Sequence, residues 1–119
     1  MDILRLFEKA DNIETHAPGA VIFTAGEDAH DMYVLLEGEV ELRLGDKLLN
    51  IIGPGSLLGE MALVGNKHRS ATAIARTDCR LAPVNERRFM FLVQETPFFA
   101  LHVMKVLAER IVQKDNHGG

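Results

Sequence analysis

Residues 59–75 read GEMALVGNKHRSATAIA, and the rest of the chain is best read outward from them. A carboxylate, Glu60, stands at the mouth of a glycine turn. Further on, Arg69 opens a run of small residues, Ser70, Ala71, Thr72 and Ala73. Between them Met61, Ala62, Leu63 and Val64 read as one short helical turn. The first N–H groups of a helix lack intrahelical acceptors and attract anions. A guanidinium can grip a phosphate through two parallel hydrogen bonds. A carboxylate beside these groups repels a bare phosphate but accepts a hydrogen bond from a sugar hydroxyl. Together they suit one molecule that carries a phosphate and a hydroxyl side by side. The plainer alternative is a surface ion pair between Arg69 and Glu60, worth little, with Gly59 serving only the turn.

Upstream, the chain has the punctuation of an all-β unit over about residues 12–84. Turn pairs recur at Pro18-Gly19, Gly26-Glu27, Glu37-Gly38, Gly45-Asp46 and Pro54-Gly55, dividing it into short segments. In one segment Val40, Leu42 and Leu44 alternate with Glu39, Glu41 and Arg43, the period-two pattern of a half-buried strand. Met32 through Leu36 reads as its hairpin partner about Gly38. Leu48–Ile52, Ala71–Ala75 and the Cys79, Leu81, Pro83 pattern give further strands. Short strands at this spacing predict a sandwich or jelly-roll barrel.

Both ends are helical in period. Asp2 can cap a short amphipathic helix carrying Ile3, Leu4 and Phe7 on one side. Glu86–Glu95 places Phe89, Leu92 and Val93 at helical spacing, and Pro97 ends that helix and starts the next. The last helix runs to about Lys114 and carries two stripes. Phe98, Leu101, Met104, Ala108 and Ile111 form one; Val103, Val106, Leu107 and Arg110 form the other. Either one stripe packs on the β unit and the other on a second copy, or both pack within the monomer. The predicted fold is mainly β with flanking α: a β-roll with one N-terminal and two C-terminal helices (about 86–114) and a short helix at residues 61–64, all in a single domain over 1–119.

Composition narrows the function. A chain of 119 residues with 47% apolar and 25% charged residues can bury a core without metal or disulfides. A net charge of −4 argues against a broad nucleic-acid surface, and Lys67, His68 and Arg69 suit one phosphate better than a DNA backbone. The single cysteine, Cys79, points to a packed thiol in a reducing compartment. The polar N-terminus does not read as a signal peptide, and no apolar run reaches membrane-spanning length. The sequence therefore predicts a soluble, cytoplasmic protein. His16, His30, His68, His102 and His117 are scattered, so no metal set, cofactor or catalytic residue is expected. A cupin-like metalloenzyme would share the roll but needs clustered histidines. Ser56 and Ser70 lack a dedicated base for nucleophilic chemistry.

The 59–75 stretch resembles the phosphate-binding cassette of the cyclic nucleotide-binding domain family, the family of catabolite activator protein and protein kinase A regulatory subunits. The pattern is Gly-Glu-x-Ala-Leu, a spacer, then Arg-(Ser/Ala/Thr)-Ala. Gly59, Glu60, Ala62, Leu63, Arg69, Ser70, Ala71 and Thr72 match it in register. The resemblance implies that Glu60 binds a ribose 2′-hydroxyl and Arg69 a cyclic phosphate. It gives the Met61 and Ala62 amides and the Ser70 hydroxyl to the phosphate oxygens. It extends over nearly the whole chain, because helix, roll and two helices is the family's order, with the last helices moving over the pocket. Leu58 replaces the usual Phe before the cassette glycine, and Ser56 stands where an acidic residue is common. For the base, Leu42, Leu49 and Ile52 are candidate walls. Arg110 is a candidate cap through guanidinium stacking or, equally, a solvated helix residue.

What the resemblance implies is a sensor of cyclic AMP, with cyclic GMP as the second ligand, relaying occupancy through its C-terminal helices to a second copy or another protein. The lean to cyclic AMP follows the Arg-Ser pair in the cassette. Two other readings remain: an interaction domain that kept the fold without the ligand, and the N-terminal sensor part of a transcription regulator. By itself the chain carries no DNA-reading element.

Overall fold

The computed structural model describes residues 3–65 and 67–118. Its elements follow in the order α1 (Ile3–Phe7), β1 (Glu14–His16), β2 (Val21–Phe23), β3 (Met32–Glu37), β4 (Val40–Leu44), β5 (Lys47–Ile52) and β6 (Leu57–Leu58). A 3-10 helix (Glu60–Leu63), β7 (Thr72–Ala75), β8 (Cys79–Val84), α2 (Glu86–Glu95) and α3 (Pro97–Gly118) complete the chain. The eight strands form two antiparallel four-stranded sheets, in the orders β1-β8-β3-β6 and β2-β7-β4-β5. This is the expected β-roll flanked by one N-terminal and two C-terminal helices. The Asp2 cap lies outside the described residues.

One expected pairing is wrong. β3 and β4 do not form a hairpin; β3 pairs with β6 and β8, while β4 pairs with β5 and β7. The Gly38 turn instead carries the chain from one sheet to the other. Gly38 has φ +92°, and a Cβ there would run into the Asp78 carbonyl and the Cys79 sulfur. A residue without a side chain is needed for both reasons.

The first sheet is sandwiched. Met32, Val34 and Leu36 face the helices, packing with Ile3, Phe7, Leu92, Phe99 and Val103, whereas Leu35, Leu58, Leu81 and Cys79 face Phe23, Val40, Ile52 and Ala73 of the second sheet. Burial on both faces gives a continuous apolar run rather than an alternating one. The second sheet has one wet face, where Glu41 pairs with Arg43 at 2.8 Å; along β4 only Val40 is buried, and Leu44, expected on the inner face, is 53% exposed at the strand's end.

α2 starts at an Asn85 cap whose side chain accepts from the Arg88 amide at 2.8 Å, a typical N-terminal device. α3 turns its Phe99 and Val103 side inward, with Phe99 edge-on to Phe7 and Phe89 at centroid distances of 6.1 and 5.6 Å. Leu101, Met104 and Ile111 on its other side are exposed. The inner stripe therefore belongs to the monomer, and the outer one does not. No single helix among the described residues is long and apolar enough to cross a membrane.

Candidate functional site

Arg69 is fixed through its backbone. Its N–H donates to the Glu27 carbonyl and its own carbonyl accepts from the Gly26 amide, both at 2.8 Å. This zips the end of the cassette to the turn after β2. The side chain then runs inward and is only 8% exposed, the one charged residue so buried among the described residues. Its guanidinium lies 4.3 Å from the Phe23 ring centroid and 5.7 Å from that of Tyr33, rings themselves stacked 6.2 Å apart. Aromatic faces attract a cation but do not satisfy its N–H groups. Nε and Nη1 are buried without a hydrogen-bond partner among the described residues. Buried unpaired donors cost stability.

The plainer alternative, a surface pair between Arg69 and Glu60, does not form among the described residues. Glu60 pairs instead with Arg110 of α3, Oε1 to Nη1 at 2.7 Å, and the Arg110 Nη2 also donates to the Leu57 carbonyl. Glu60 follows β6 directly, across Gly59 in the left-handed region (φ +67°, ψ 26°). That conformation is one glycine adopts without penalty. The 3-10 helix begins at Glu60, one residue earlier than expected. Within it the Ala62 amide donates to the Gly59 carbonyl at 3.1 Å, so in this arrangement that N–H is spent on the turn rather than free for an anion.

A cavity at the end of the roll gathers Gly59, Glu60, Met61, Ala62, Arg69 and Ser70, with Leu42 and Arg110. All six cassette residues singled out in the sequence thus share one cavity. Leu49 does not join them; it is 47% exposed on the edge strand β5. Ile52 lies in the core between the sheets and along a neighbouring groove toward His102 of α3. The guanidinium of Arg110 is engaged on Glu60 rather than presented as a stacking face. Sequence reasoning missed Phe23 and Tyr33, whose β-strand positions give no sign that they carry an arginine. Of the basic spot at Lys67, His68 and Arg69, His68 lines the cavity beside Arg69.

Tyr33 has its phenol pKa raised above 10.0, first by burial and then by Glu14, with Asp31 and Glu27 adding to the rise and Arg69 opposing it. It therefore stays neutral beside Arg69 at physiological pH and offers the guanidinium a ring rather than a counter-charge.

The two-sheet roll thus holds a cavity lined by both a buried arginine and a carboxylate. The cyclic nucleotide-binding domain model matches residues 13–96, and the chain belongs to that family. It is 32% identical over 102 residues to the cyclic AMP receptor protein of Thermus thermophilus, covering 82% of this chain and 47% of the relative. It is 38% identical over 71 residues to a cAMP-dependent protein kinase regulatory subunit of Eremothecium gossypii, covering 60% of this chain and 16% of the relative. A solved structure from work on a cyclic-GMP-dependent signalling pathway in bacterial phytopathogenesis superposes with TM-score 0.75 at 30% identity, covering 92% of this chain and 91% of that one. The chain thus spans less than half the length of the two curated relatives.

Proposed function

We propose that the chain is a non-catalytic cyclic nucleotide sensor of the cytoplasm, binding cyclic AMP with cyclic GMP as second ligand, and that its last helix relays occupancy. The observation that carries this reading is the buried Arg69 guanidinium, whose unpaired Nε and Nη1 share a cavity with the Glu60 carboxylate. A cyclic phosphate supplies the missing acceptor, and a neighbouring ribose 2′-hydroxyl supplies a donor for Glu60. Ser70 and the Met61 amide line the same cavity as further phosphate contacts, and Leu42 offers an apolar wall to the base.

The relay runs through α3, which touches the site at Arg110. Its outer stripe of Leu101, Met104 and Ile111 is exposed and suits a second copy of the chain. Ligand and partner then favour or oppose each other by one common factor.

Calorimetric titration with cyclic AMP and cyclic GMP, with 5′-AMP as control and Arg69→Ala alongside, tests the reading. One-to-one binding that Arg69→Ala abolishes supports it, and the tighter ligand gives the base preference. No binding by ligand-free protein shifts the reading to an interaction domain that kept the fold.

A further inference from the structure

A groove of about 420 Å³ runs between the end of β8 and the first turns of α2, and it shares no lining residue with the Arg69 cavity. Pro83, Phe91, Arg87 and Arg88 form its apolar and basic walls, with Asn12 and Asn85 between them. Phe91 is 61% exposed and Met90 beside it 62%, a pair of large apolar side chains left in water. The two arginines are as conspicuous. Arg43, Arg80 and Arg110 each hold a carboxylate within 2.8 Å. Neither the Arg87 nor the Arg88 side chain makes an ion pair or hydrogen bond among the described residues; the Arg88 guanidinium only approaches the Phe7 ring, at 5.8 Å. Both stand in the first turn of α2, where a cation opposes the helix dipole, so the stability of the helix does not account for them. Asn12 donates its Nδ2 to the Pro83 carbonyl and Asn85 accepts from the Arg88 amide. Each keeps the other end of its amide for a further hydrogen bond.

We propose that this groove docks an extended acidic segment of a partner protein, with an apolar side chain on Phe91 and carboxylates on Arg87 and Arg88. The inference stands apart from the nucleotide reading. Charge complementarity selects the occupant: guanidinium forks match carboxylates bidentately, and an exposed aromatic ring beside them supplies the anchor that such surfaces use. The free amide ends of Asn12 and Asn85 suit the backbone of an extended chain. Asp31, also in the wall, repels an acid at its own position and accepts a backbone N–H there, which fixes the register. A second copy meeting this face across a two-fold axis would bring Arg87 and Arg88 against themselves. An anionic membrane would meet Asp31 and Glu86 on a chain of net charge −4, whereas a narrow segment touches only the arginines and the ring. Because the groove and the Arg69 cavity have no residue in common, the partner docks without blocking that cavity.

The test follows the fluorescence anisotropy of a short labelled peptide, a phenylalanine flanked on both sides by glutamates, against wild type, Arg87→Glu and Phe91→Ser. Both side chains are exposed, and thermal melts first show that each variant folds. We expect wild type to bind with a Kd below about 1 mM, more weakly as salt rises. Arg87→Glu should weaken binding by about tenfold or more and Phe91→Ser by about fivefold. The same peptide with lysines in place of its glutamates should not bind. No binding of the acidic peptide by wild type at about 1 mM would overturn the proposal, as would equal binding of the lysine peptide or unchanged affinity in both variants. Wild-type self-association that Phe91→Ser abolishes would give the groove to a second copy. Binding to phosphatidylserine vesicles without binding of the peptide would give it to a membrane. Either result would overturn the acidic segment.

Discussion

The Nη1 atom of Arg69 occupies the place where a side chain on residue 59 would begin: a Cβ built on Gly59 would overlap it. Gly59 also sits at φ +67°, a region that costs a residue with a Cβ about 1–2 kcal/mol. Gly59→Ala should therefore destabilise the ligand-free fold by about 1–3 kcal/mol. It should weaken nucleotide binding further, because the guanidinium has to move. Melting curves with and without cyclic nucleotide measure both effects. A Gly59→Ala variant that binds like wild type would show that the approach of Arg69 to this turn has no part in recognition.

Arg69 itself should trade stability for binding. Its buried, unpaired donors cost the ligand-free fold free energy, while Phe23 and Tyr33 return part of that through cation–π contact. Arg69→Met keeps the aliphatic bulk against both rings and removes the orphaned N–H groups. Its unfolding free energy without ligand should equal or exceed that of wild type. Affinity for a cyclic nucleotide should fall by roughly 2–5 kcal/mol, the loss of a desolvated charged contact. Urea unfolding and titration on the same preparations check the pair of outcomes; a marked drop in stability would mean that Arg69 is a structural residue first.

The broad outline and the cassette were legible in the sequence for specific physical reasons. Positive-φ glycines at 19, 26, 38, 45 and 55 fall at the turn pairs that divided the chain, because only glycine takes that conformation without strain. Pro97 and the helical spacing of Phe89 and Leu92 gave the α2–α3 boundary to the residue. The sheet assignment of β3 was not legible: a turn at Gly38 looks the same in sequence whether it joins two strands of one sheet or carries the chain between sheets. Leu49 was misplaced for a related reason. The β4–β5 ladder shifts register between Leu42 and Arg43, which sets Leu49 outside the strict alternation. The Arg110–Glu60 pair joins residues 50 positions apart, and no local pattern announces such a contact.

Tyr33 is the single tyrosine of the chain, so its ionisation can be followed directly by phenolate absorbance. Its folded pKa is raised above the ordinary 10.0, chiefly by burial. The folded state thus holds the proton where the unfolded chain has begun to lose it. The stability tied to this group is complete below pH 10 and is lost as pH rises through 10 toward the higher folded value. Tyr33→Phe has no such proton to lose. Between pH 8 and about pH 11, wild type should lose more unfolding free energy than Tyr33→Phe. Parallel pH dependence of the two proteins would place the phenol in an environment no different from water.

The outer stripe of α3 bears on how occupancy leaves the domain. Leu101, Met104 and Ile111 are 65%, 57% and 62% exposed, and with Ala108 they recur at intervals of three and four along one line of the helix. That spacing is the seam of a two-helix coiled coil, and leaving three large apolar side chains in water along one line is unfavourable. The inner side, anchored by Phe99 and Val103 in the helix–sheet core, holds the helix while the outer side associates. Sedimentation over a concentration series should show wild-type self-association and a monomer for Leu101→Glu and Met104→Glu, with their melting transitions within a few degrees of wild type. Because α3 also carries Arg110, ligand should shift the association constant of wild type and leave that of Arg69→Met unchanged. A wild-type protein that stays monomeric at every concentration, with and without ligand, would require α3 to signal to a different partner.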